Sequence, residues 1–75
     1  MIKLVNIIRK GNKIYCDYYL DGGNEKYQLV INIEKETYEC NSEDDYSPHI
    51  ALRELLKNYI RQNKPLPKEE CFMWW

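Results

Sequence analysis

The chain has 75 residues, a formal net charge of −1 and a charged fraction of 31%. That length holds one small domain with one thin core, and it leaves little wall for the cleft a small-molecule site needs. The near-balanced charge supplies no global field to draw in nucleic acid or membrane, so electrostatic recognition has to come from local segregation.

Residues 2–9 predict a first strand, because Ile2, Leu4, Val5, Ile7 and Ile8 are β-rich side chains. Apolar residues occupy both side-chain parities of this run, which implies partial cover on both faces. Gly11-Asn12 marks a tight turn. Residues 13–20 predict a second strand, with Ile14, Cys16, Tyr18 and Leu20 on one face and Tyr15, Asp17 and Tyr19 on the other. Asp21-Gly22-Gly23-Asn24 is the strongest turn signal, since its residues tolerate positive φ. The third strand spans roughly 26–33, with Tyr27, Leu29, Ile31 and Ile33 facing one way and Gln28, Val30 and Asn32 the other. A turn near Glu34-Lys35 leads to a fourth strand, roughly 36–41, with Tyr38 and Cys40 on one parity and Thr37 and Glu39 on the other.

A polar segment, Asn41 to Asp45, precedes a helix over roughly 48–62. Ser47 is a natural N-cap and Pro48 fits the first helical position. Ala51, Leu52, Leu55, Leu56, Tyr59 and Ile60 recur at helical spacing and form one apolar arc. Asn63 and Pro65 stop the helix. The tail, 64–75, is a Pro65-Leu66-Pro67 connector followed by Cys71-Phe72-Met73-Trp74-Trp75. Both tryptophans and the only phenylalanine fall there, and side chains of that size are expected to dock rather than stay in water.

The predicted fold is α+β: a four-stranded antiparallel meander, then one amphipathic helix packed on one sheet face, in the order ββββα. One helix covers only one side of the sheet. The aromatic tail is expected to dock on the sheet, on the face opposite the helix that carries Tyr15, Tyr19 and Val30.

Four constellations could carry chemistry. The uncovered face, with its tyrosines, suits protein contact or the stacking of unpaired bases. Arg53, Lys57 and Arg61 lie four apart on the helix and could track a phosphate backbone, although late cations also complement the helix dipole. Glu34, Glu36, Glu39, Glu43, Asp44 and Asp45 cluster over the fourth strand and its loop, where charge also protects a sheet edge from pairing. Cys16, Cys40, Cys71 and His49 are the potential metal ligands, but their spacing matches no zinc pattern, and Cys16 and Cys40 lie about 10 Å apart across a third strand.

The functional expectation is a small non-enzymatic protein-interaction domain. Its candidate patch is Tyr15, Tyr19, Val30, Phe72, Trp74 and Trp75, used for a protein partner or for self-association as a two-fold dimer. The alternative is single-stranded nucleic-acid binding through Tyr15, Tyr19, Arg53, Lys57 and Arg61. No catalytic residue, metal or cofactor is assigned, and no small-molecule site is evident. The N-terminal run is too polar for a secretion signal and no stretch is long enough to span a membrane, so a cytoplasmic protein with reduced cysteines is expected. The richness in tyrosine, lysine, isoleucine and asparagine suits an AT-rich bacterial or phage genome.

Overall fold

Alternation of buried and more exposed side chains makes two half-buried strands, β2 (Lys13–Leu20) and β3 (Lys26–Asn32), and these form the middle of the sheet. The computed structural model describes residues 2–20, 23–43 and 46–72. Around the central pair lie β1 (Ile2–Lys10), β4 (Thr37–Cys40) and a short β5 (Glu70–Phe72). All neighbours are antiparallel, in the order β4-β3-β2-β1-β5. The meander is present as expected from the short connections; the fifth strand is an addition to it.

The turns explain how the meander closes. Gly11 takes φ +61 at the first central position of the β1–β2 hairpin, where a side chain would be strained. Glu36 takes φ +54 as the last residue of the β3–β4 turn, which is why β4 begins at Thr37 rather than at Glu36. The Asn32 side chain caps that turn by accepting from the Lys35 backbone N–H at 2.9 Å.

The mixed parity of β1 comes from a β-bulge, not from cover on both faces. The pairing runs Val5↔Asp17 and then Ile8↔Tyr15, so β1 spends one residue more than β2 between those pairs. Asn6 absorbs the extra residue at φ +55, a conformation asparagine tolerates better than most side chains, and its Nδ2 donates to Asp17 Oδ2 at 3.1 Å. The bulge resets the phase. Ile2, Leu4 and Ile7 are buried, while Ile8 is 53% exposed.

A helix, α1 (Tyr46–Leu55), continues as a π-helical turn, Leu56–Ile60. Its axis crosses the sheet with contacts to β1, β4 and β5. The arc Ile50, Ala51, Leu52, Leu55 and Leu56 buries against Leu4, Ile14, Tyr18, Leu29 and Ile31. Helical geometry starts at Tyr46, so Ser47 is not the N-cap; it and Pro48 are buried in the first turn. Proline is accommodated there because the first-turn N–H groups have no intrahelical acceptor. The predicted stop at Asn63 is seen in detail. Asn63 sits at φ +55, its N–H donates to the Ile60 carbonyl, and the Lys64 N–H donates to the Tyr59 carbonyl, the two bonds of a Schellman motif.

The tail departs most from expectation. Its described part, through Phe72, does not lie on the open face. It runs along the outer edge of β1, with Ile7 N–H donating to the Lys68 carbonyl at 3.1 Å and with Phe72 opposite Ile2, Cys71 opposite Lys3 and Glu70 opposite Leu4. Phe72 therefore shares a face with Ile2 and is buried in the helix-side core. The driving force is an edge whose backbone groups need partners, together with room for one more aromatic beside Ile2. Tyr59 donates a hydrogen bond to the Glu70 carboxylate and so ties the helix end to β5. That bond favours the neutral phenol and raises its pKa above the ordinary 10.0, with burial and the carboxylate charge acting in the same direction. Met73, Trp74 and Trp75 lie outside the described residues.

Candidate functional site: the open sheet face

Strand parity sorts the side chains opposite the helix into rows. Glu39, Val30, Tyr15 and Ile8 are opposed in turn across β4, β3, β2 and β1. Gln28, Asp17 and Val5 form the next row. Lys26, Tyr19, Lys3 and Cys71 form the third, from β3 to β5. At the β1–β2 turn Lys10 opposes Lys13 directly.

The apolar part of this face is small and continuous. Ile8 is 53% exposed and Tyr15 is 40% exposed, and they are direct cross-strand neighbours with Val30 on the other side of Tyr15. Lys10 holds its Nζ 5.9 Å from the centre of the Tyr15 ring, within cation–π range. A shallow depression of about 420 Å³ follows β2 and is lined by Asn6, Tyr15, Asp17, Gln28 and Val30 among others. A second, of about 550 Å³, lies between Ile8 and the tail at Lys68 and Glu69.

The expected protein patch is divided. Tyr15, Tyr19 and Val30 share the open face. Phe72 is on the opposite side of the sheet, in the core, and Trp74 and Trp75 lie outside the described residues. The expected nucleic-acid set is divided as well. Arg53, Lys57 and Arg61 are exposed on the helix, which covers the other sheet face, so they do not join Tyr15 and Tyr19. Arg61 pairs with Glu36 at 2.7 Å and Arg53 with Glu54 at 3.7 Å. Exposed pairs of this kind contribute little to stability, and they blunt the positive stripe.

The cations that do accompany the tyrosines are Lys3, Lys10, Lys13 and Lys26, which the reading by sequence clusters missed. Their signal was parity. Each stands on the same strand face as Tyr15 and Tyr19, and for Lys10 that relation appears only once β1 is shifted by its bulge. Among the described residues the ion pairs are those of Arg53 and Arg61, and none of these four lysines takes part in one.

Glu34, Glu36 and Glu39 of the acidic cluster are engaged or placed separately. Glu34 accepts from Asn12 at 3.3 Å, Glu36 holds Arg61, and Glu39 lies on the open face at the β4 edge. Asp44 and Asp45 lie outside the described residues.

The cysteines are equally dispersed. Cys16 and Cys40 stand on either side of Leu29 in one row of the core face. Burial, with some help from Asp17, pushes the Cys16 thiol up to about 12, so it is held protonated and unreactive. Cys40 donates to the Ser42 carbonyl at 3.5 Å, and Cys71 is exposed on the open-face side of β5. His49 is exposed on the helix. Among the described residues no three metal-ligating side chains converge, and no helix is long and apolar enough to cross a membrane. Comparison with known proteins adds no relative: no family model, no curated protein and no solved structure matches the chain.

Proposed function

We propose that this chain is a small interaction domain that works by contact rather than catalysis, with the open sheet face as its docking surface. One observation carries the reading. Three large apolar side chains are exposed among the described residues, and two of them, Ile8 and Tyr15, stand side by side on a sheet face that no described element covers. A chain of this size has reason to bury every large side chain it can, so an adjacent exposed pair marks a surface kept for a partner. The surrounding lysines, Gln28 and Glu39 give that apolar centre a polar rim, the usual anatomy of a contact surface.

The reading requires the face to be dispensable for folding. Replacing Ile8 and Tyr15 together by threonine, which keeps β-propensity and removes most of the apolar surface, is expected to change the unfolding free energy by less than about 1 kcal/mol. Denaturant unfolding followed by circular dichroism measures it. A loss above about 3 kcal/mol would show that these side chains are covered in the folded chain and would remove the proposal.

A further inference from the structure

We infer that the open face binds single-stranded nucleic acid, with bases on Tyr15 and Tyr19 and phosphates on Lys3, Lys26, Lys10 and Lys13. The inference rests on the open-face reading above and names its ligand.

The argument begins with the rows. Tyr19 has a lysine directly opposite on each side, Lys3 on β1 and Lys26 on β3. Tyr15 lies four residues away on the same strand and the same face, about 13 Å along β2. Beyond it Lys10 and Lys13 oppose each other across the hairpin end. Two like charges in directly opposed positions destabilise a hairpin, and neither lysine is ion-paired with a carboxylate among the described residues. An anion between or above them would offset that repulsion. The central strand thus presents aromatic rings with paired cations at both ends, which suits a polyanion carrying planar groups.

Charge also selects among occupants. Asp17 stands between the two tyrosines, held by Asn6, and Glu39 sits at the far edge. These carboxylates repel phosphates from the middle of the face, which steers a backbone to the lysines at its ends and leaves bases over the centre. A second copy of the chain fits poorly. Stacking two such faces about a two-fold axis lying between them, along or across β2, brings lysine rows against lysine rows. The span from Lys13 to Tyr19 accommodates a site on the order of four nucleotides, at the small end for single-strand binders.

The test is a fluorescence anisotropy titration of fluorescein-labelled dT12 with the whole chain, repeated from about 50 to 200 mM salt. Binding is expected at low salt. With four phosphates neutralised on a single strand, log K should fall with log salt at a slope of about −3. Lys3→Gln with Lys26→Gln should weaken binding at least tenfold and flatten the slope by about 1.4, the contribution of two contacts. Tyr19→Thr, and independently Tyr15→Thr, should each weaken binding by about tenfold without changing the slope. Arg53→Gln, Lys57→Gln and Arg61→Gln together should leave affinity within about twofold, because those side chains face away from the site. Circular dichroism establishes that each variant is folded.

No anisotropy change at 100 µM protein and low salt (roughly the weak end of non-specific binding) overturns the inference. So does binding that the helix variants abolish and the sheet variants spare. If poly-L-glutamate competes charge for charge with dT12, or if the chain self-associates in sedimentation equilibrium and Ile8→Thr with Tyr15→Thr abolishes the association, the ligand is a polypeptide. Either outcome overturns the nucleic-acid assignment while keeping the open face as the docking surface.

Discussion

Phe72→Ala is expected to destabilise the chain by about 3 kcal/mol, close to the usual cost of a buried phenylalanine truncation. For a domain of this size that lowers the melting temperature by about 12–24 °C. The size of the effect follows from where the tail runs. Phe72 lies opposite Ile2 in the outermost strand pair, with its ring in the core and 9% of its surface exposed. Removing the ring opens the space beside Ile2 and weakens the dock of the tail, which is also held by the Lys3–Cys71 and Leu4–Glu70 pairs, the Ile7–Lys68 backbone bond and the Tyr59–Glu70 bond. Cys71→Ala is the internal control. Cys71 is exposed on the opposite face, so its loss should stay within about 0.5 kcal/mol. Equal effects of the two substitutions would mean that β5 does not pair in this register, since one residue of slip exchanges the faces.

Leu56→Ala is expected to cost about 2–5 kcal/mol, measured by denaturant unfolding. Leu56 is 4% exposed and begins the π-helical turn, where its carbonyl accepts from the Arg61 N–H. It is the last fully core-facing side chain before the helix ends, so it couples the helix C-terminus to the sheet. Lys57→Ala, one residue on, changes an exposed side chain and should be near neutral. A Leu56→Ala loss under about 0.5 kcal/mol would show that the helix presents another face to the sheet.

How much of this was legible can be judged element by element. β2 was readable residue for residue at 13–20, because Ile14, Cys16, Tyr18 and Leu20 alternate without interruption with polar or aromatic neighbours. The helix arc was readable for the same reason at a different period. The helix starts at Tyr46, ahead of Ser47-Pro48, and that pair gives the same cap signal wherever it falls within the first turn. The bulge in β1 was not legible. Asn6 is uncommon in strands, but a lone asparagine does not locate a bulge; its positive φ, its side-chain bond to Asp17 and the shift from Val5↔Asp17 to Ile8↔Tyr15 reveal its role. β5 was not legible either. Three residues after a proline connector carry too little alternation to be read, and what places them is the unpaired edge of β1, a tertiary need.

The candidate site divides along the same line. Tyr15, Tyr19 and Val30 were assigned to the open face by parity, and they are there. The helix stripe of Arg53, Lys57 and Arg61 attracted notice because its spacing is regular in sequence, yet the helix packs on the other side. Lys3, Lys10, Lys13 and Lys26 are scattered over three strands and form no run. They converge only when antiparallel pairing folds those strands beside one another, with the bulge setting which side of β1 they share. Charge clusters in sequence therefore point away from the cations that share the open face with the tyrosines.

The most direct test of the open face as a nucleic-acid-binding surface is alkylation of Cys71 at pH 8, read peptide by peptide by mass spectrometry, with and without saturating dT12. Cys71 ends the row Lys26–Tyr19–Lys3 and is exposed, while Cys16 lies in the core with burial pushing its thiol up to about 12, which keeps it protonated at pH 8. The account predicts rapid labelling of Cys71 in the free chain, severalfold slower labelling when dT12 is bound, and a closed Cys16 in both. Labelling of Cys71 at the same rate with and without the oligonucleotide would contradict it.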